Sequence, residues 1–276
     1  MSSPQGGLSF LPAAVESARQ TALLLRHNRI GWLLTGIAGA TGLLALFLGS
    51  RAHDRLDGRT LFCMLAWWLQ GTVLVPWSTL YLGVQAVHGG LEDRTFQYLF
   101  LRPVGRAPLL LGKWLAVFGV SAVVGLFGAV ALFLGVAARA ELWPDGVDWS
   151  LLVSFARAFV LAAIAYSAVA VLFGAFFRRP LVWAAFFVVG LQTLTANLPV
   201  SAGLRRMTIT DPLRRLVLDS VEPDSRLATM LWPAERSFRP ELIGEPLLDL
   251  AVLVLVCLVL ATWSYCRTEY DSRVRE

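Results

Sequence analysis

The chain has 276 residues, 57% of them hydrophobic and only 16% charged, where a soluble domain carries about a quarter charged residues. Its net charge of +5 rests on 23 arginines and one lysine, Lys113, against 19 acids. Charges cluster in short segments with long apolar runs between them, so the arginines read as anchors of membrane topology and not as a nucleic-acid surface. The three cysteines, Cys63, Cys257 and Cys266, lie in or beside apolar runs without C-x-x-C spacing, and His27, His53 and His88 are far apart. Neither a disulfide framework nor a metal site is expected.

In chain order, residues 1–9 read as disordered. Residues 13–29 read as an amphipathic helix lying in the membrane interface, with Leu11, Ala14, Val15, Ala18, Ala22 and Leu25 on one side and Glu16, Ser17 and Gln20 opposite. The first apolar run begins at residue 30. It is long for a cleaved signal and fits a retained first span.

A bilayer core needs about 20 apolar residues per helix, and six runs qualify: 30–49, 61–87, 109–137, 151–177, 181–198 and 247–265. Small residues in the first (Gly36, Ala38, Gly39, Ala40, Gly42) and the third (Ser121, Gly125, Ala129) suit close helix approach in lipid. Pro76 should kink the second. Arg157 in the fourth is near enough to the span end to snorkel outward.

The connection 199–246 carries seven arginines against seven acids and six of the 13 prolines. Asp211 and Pro212 form an N-cap and N1 pair opening a short helix to about Val221. A second short helix is expected from Asp224 or Ser225, and the whole reads as a small folded loop on the membrane surface. The expected fold is thus an all-α membrane protein of six transmembrane helices. Residues 1–29 form its N-terminus with the interfacial helix, 30–265 one transmembrane domain, and 266–276 a tail. With both termini in the cytoplasm, the inner segments hold twelve Arg and Lys and the short outer loops four, as the positive-inside rule requires.

The segment between the second and third spans reads as a helix with its own punctuation. Gly90 can start it, and Glu92 and Asp93 suit the positive end of a helix dipole. Arg102 suits the negative end, and Pro103 stops the helix. At 91–102 this is a short amphipathic rod of roughly 16 Å, fit either for a partner's groove or for the lipid surface.

This stretch resembles the signature of ABC-2 type transporter permeases. That family shows a Glu, then a Thr, a Leu-rich run, Pro-x-x-Arg and a Gly-Lys entering the third span. Here these are Glu92, Thr95, Leu99, Leu101, Pro103, Arg106, Gly112 and Lys113, with Arg94 standing where the family usually has Gly. The resemblance implies a coupling helix at 91–102 that docks on a separate ATPase. Leu91, Glu92, Arg94 and Thr95 would lie on it, with Phe96, Leu99 and Phe100 as apolar anchors. Pro103 and Arg106 would shape the turn into the third span, Gly112 would enter it, and Arg106 and Lys113 would set its depth. It also implies an ABC ATPase partner in two copies, a second permease subunit (identical or homologous), residence in a bacterial cytoplasmic (inner) membrane, and export.

No catalytic residues are expected. The nearest string to a phosphate loop runs from Ala107 to Trp114 and lacks both the first Gly and the final Ser or Thr. ATP and magnesium would therefore belong to the partner, and this chain would bind no cofactor. The competing classes are a membrane-embedded enzyme and an ion-coupled carrier. Both want ionisable residues inside the bundle, and the spans offer mainly Gln70, Gln85, Gln192 and Asn197.

Overall fold

A bilayer leaves a chain no way to satisfy its backbone except within helices or closed barrels, and this chain is helical. The structure, a computed structural model, describes residues 10–51, 57–89, 105–144, 146–194, 208–220 and 244–267. Among these there is no strand. In order come α1 (Phe10–His27), α2 (Arg29–Arg51), α3 (Gly58–Val87), α4 (Arg106–Ala137), α5 (Trp149–Phe176), α6 (Pro180–Phe186), α7 (Thr210–Ser220) and α8 (Gly244–Arg267). By length and composition α2, α3, α4, α5 and α8 can cross a membrane, at bounds within three residues of those expected. Of the fifth expected span the structure describes α6 and its continuation in wide π-type turns over Phe187–Leu194, and residues 195–198 lie outside the described residues. Residues 1–9, the helix expected from Asp224 or Ser225 and the tail beyond Arg267 lie outside the described residues.

The bundle is organised on α4, whose 32 residues measure about 48 Å against a hydrocarbon core of about 30 Å. α2 runs beside its second half. A β-carbon on Gly42 would stand 2.5 Å from the Ala131 carbonyl oxygen, and one on Gly135 would overlap the Gly42 carbonyl. These backbones are therefore in contact, as the small residues of the first span suggest. On α4 itself the tight positions are Gly112, Gly128 and Gly135, whereas a β-carbon on Gly125 would meet only ordinary contacts at 3.5 Å and beyond. Between α3, α4 and α5 lies an aromatic centre in which Phe62 packs edge-on to Phe133 and Phe155, at 5.2 and 5.3 Å between centroids. Arg157 faces outward from α5.

Proline shapes α3. Pro76 cannot donate a backbone hydrogen bond, and the turns before it, Ala66–Leu74, widen to i→i+5 geometry, with the Val75 amide donating to Gln70. Such π segments cluster at functional positions. This one sets Gln70, fully buried, onto α4 at Gly128, where a β-carbon would stand 2.6 Å from Gln70 Oε1. Gln70 Nε2 donates to Thr41 Oγ1 of α2 at 2.8 Å, and Thr41 donates to the Ala38 carbonyl at 2.7 Å. A polar thread thus joins three helices inside the apolar core.

The structure departs from the expected surface loop at α7. Ile209, Leu213 and Val217 repeat at helical spacing and pack into the main core beside Phe155, Tyr166 and Leu250. Thr208, Thr210, Asp211 and Arg214 are buried too. α7 starts at Thr210 and is not capped by Asp211. Its first amides are met by Gln192 of the wide-turn segment, whose Oε1 accepts from the amides of Ile209 and Thr210, each at 3.2 Å, and from Thr210 Oγ1 at 2.7 Å. Asp211 instead pairs with Arg215 one turn on, at 2.8 Å, and Arg214 lies over the Trp67 ring at 5.3 Å. Tyr166, which interacts with Thr210, sits on α5 well inside both ends of that helix. The start of α7 is therefore deep in the bundle, against Gln192 of the wide-turn segment that follows α6.

Candidate functional site

The turn between α3 and α4 is the place where the sequence concentrates its information. Leu91, Glu92, Arg94, Thr95, Phe96, Leu99, Phe100 and Pro103 lie outside the described residues; Arg106, Gly112 and Lys113 are within them. What the structure describes is the frame on which that turn is mounted.

The two ends of the frame are packed together. Val87, in the last turn of α3, and Leu110, in the second turn of α4, share one buried cluster with Val171 and Ala175 of α5 and Ala261 and Tyr265 of α8. A β-carbon on Gly174 would stand 2.8 Å from Val87 Cβ, so α5 presses directly on the end of α3. Ser264 Oγ donates to the Ala175 carbonyl at 3.4 Å, tying α8 to the end of α5. Arg106, the first residue of α4, donates through Nη1 to the Cys266 carbonyl at 3.1 Å. That bond satisfies one of the carbonyls a helix C-terminus leaves open, and the cation opposes the negative end of the α8 dipole.

α1 closes the frame on the other side. Ser17 Oγ donates to the Leu109 carbonyl at 2.9 Å. A β-carbon on Gly112 would overlap the Ala14 carbonyl oxygen and stand 2.7 Å from Ser17 Cβ. Farther along, Leu25 joins Leu82 and Val117 in a buried cluster. Ser17 to Leu25 thus advances eight residues beside eight of α4, so α1 packs lengthwise along the start of α4.

Its buried face is Ala13, Ala14, Ser17, Thr21 and Leu25, which shares Ala14 and Leu25 with the apolar stripe expected from the sequence and adds Ser17 from the opposite side. Ser17 is inside, while Leu11 and Val15 are exposed. Small side chains, not large ones, permit the close approach.

Ala107 to Trp114, the string nearest a phosphate loop, is continuous helix. Gly112 serves the packing of α1 there, and the backbone amides are not splayed into a phosphate cradle. Lys113 is half-buried in the same turn and has an interaction partner. Trp114 stacks on Phe118, with 6.4 Å between centroids.

Sequence reasoning missed Ser17, Gln192 and the charged residues of α7. The signal for Ser17 was the run Ala14, Ser17, Ala18, Thr21, small residues at spacing three to four. Gln192 and Thr210 are joined across 18 positions, which no local pattern reveals. Asp211 is a buried acid, but its partner Arg215 lies on the same helix, so the charge is balanced locally.

Five helices long and apolar enough to cross a membrane, with α4 at their centre and a helical frame at one end of the bundle, define a multi-pass membrane protein. Residues 51–270 match the family described as ABC-2 family transporter protein, and the chain belongs to that family. Comparison with curated proteins finds no match.

Proposed function

We propose that the chain is the permease subunit of an ABC-2 type exporter. A second permease copy completes the pathway, and two copies of a separate ATPase hydrolyse ATP with magnesium and drive it. The observation that carries this reading is the frame just described. The turn that bears the family signature leaves from Val87 and returns at Leu110, and these two residues share one buried cluster with α5 and α8. Protein interiors are close-packed and transmit displacement instead of absorbing it, so a push on residues 91–102 moves α3, α4, α5, α8 and, through Ser17 and Gly112, α1 together. In this reading Phe96, Leu99 and Phe100 enter a groove of the ATPase, Glu92, Arg94 and Thr95 orient the helix, and the site is a cytoplasmic one in a bacterial inner membrane.

The test is co-purification with the ATPase encoded beside this chain. Phe96→Asp combined with Leu99→Asp is expected to abolish association and to leave membrane insertion intact. Unchanged association, or transport by the purified chain alone, overturns the proposal.

A further inference from the structure

An open groove of about 970 Å³ runs along the outside of α8, at the upper end of the size range of ligand cavities. Its walls are apolar: Leu250, Val254 and Leu258 of α8, with Leu161 and Ile164 of α5 and Leu111 of α4. Its two ends differ in charge. At one end the lining turns polar at Thr262, Cys266 and Arg267. There the Arg267 guanidinium is held over the Trp263 ring at 4.4 Å. The Arg106 guanidinium is brought to the same place by its bond to the Cys266 carbonyl. At the other end α8 begins with Glu245 in its first turn.

We propose that this groove holds one anionic phospholipid, its phosphate at Arg267 and Arg106 and its acyl chains running along α8 towards Leu250. Three observations select this occupant. The cations stand at one end only, so an amphiphile with an anionic head fits in a single direction. Trp263 and Arg267 are the residue types that sit at headgroup level, and basic pockets between membrane helices bind acidic headgroups. A second copy of the chain fits less well. Inserted with the same topology, a two-fold partner would set its own Arg267 and Arg106 against these across an isologous contact, and juxtaposed like charges oppose association.

The test uses the full chain in mixed micelles of phosphatidylglycerol and phosphatidylcholine, with retained lipid counted by native mass spectrometry. The wild type should retain phosphatidylglycerol in preference, by about five-fold for each arginine engaged. Arg267→Gln should lower that ratio about five-fold, and Arg267→Lys should keep most of it. Ala251→Trp, which fills the groove from an exposed position, should lose both lipids. If Ala251→Trp fails to fold, the Arg267 pair decides alone. Equal retention of the two lipids by the wild type, or a ratio unchanged by Arg267→Gln, overturns the proposal. So does high-yield cross-linking of Cys266 between copies that Cys266→Ser abolishes, because a second chain then occupies the groove.

Discussion

Gly112 of α4 lies against the carbonyl oxygen of Ala14 on α1 so closely that a β-carbon at residue 112 would overlap it. The close approach is what lets Ser17 reach the Leu109 carbonyl, and it makes Gly112 the seat of the N-terminal helix.

Gly112→Ala should therefore lift α1 away from α4. Overpacking of this kind costs about 1–3 kcal/mol. Gly119→Ala is the control, because a β-carbon there meets nothing within 4 Å. At that position the better helix former should be neutral or stabilising by up to about 1 kcal/mol. The measurement is the midpoint of thermal unfolding in detergent. Equal midpoints for the two variants would show that α1 is not seated on Gly112.

The thread from Gln70 to Thr41 gives a second prediction. Thr41→Val leaves the buried Gln70 amide without its acceptor and should cost about 0.6–1.7 kcal/mol, the range for hydrogen bonds between membrane helices. Gln70→Leu together with Thr41→Val removes both partners and should restore part of that loss. A double-mutant cycle measures the coupling, and additive effects would mean that the bond contributes nothing.

These residues also show what could be read from the sequence. Five of the six expected spans were legible because bilayer thickness sets their length and excludes charge. The helicity of α1 was legible, but its packing face was not. Ser17 reads by polarity as lying opposite the apolar stripe, whereas helix approach depends on side-chain size. At α7, Arg214, Arg215 and Asp211 dominate the composition and hide the spacing of Ile209, Leu213 and Val217. An ion pair within the helix and the Trp67 ring supply the partners that burial of those charges requires. A coupling role for 91–102 is implied only by the resemblance, since the sequence there carries local helix signals that suit a groove or a lipid surface equally.

Arg214 over Trp67 leads to a third prediction. A guanidinium stacks flat on a ring, and an ammonium does not. Arg214→Lys keeps the charge yet should cost about 1–2 kcal/mol at this buried position. The same substitution in a Trp67→Leu background should cost much less. Thermal midpoints of the four proteins decide it: an equal cost in both backgrounds removes Trp67 from the interaction.

Gln192 supports the start of α7, its Oε1 accepting from the Ile209 and Thr210 amides, while Thr208 Oγ1 accepts from the Asp211 amide. Loss of a helix cap costs about 0.5–2 kcal/mol. Gln192→Leu keeps the volume and removes the acceptor, so the loss should appear as local opening of α7 and not as collapse of the bundle. Hydrogen exchange at residues 208–217 is the measurement. Protection there should fall while protection in α4 and α5 stays as in the wild type. If α7 keeps its protection, the cap is redundant and burial of Ile209, Leu213 and Val217 suffices to hold the helix. If all three helices lose protection together, α7 is an integral part of the core and does not open separately from α4 and α5.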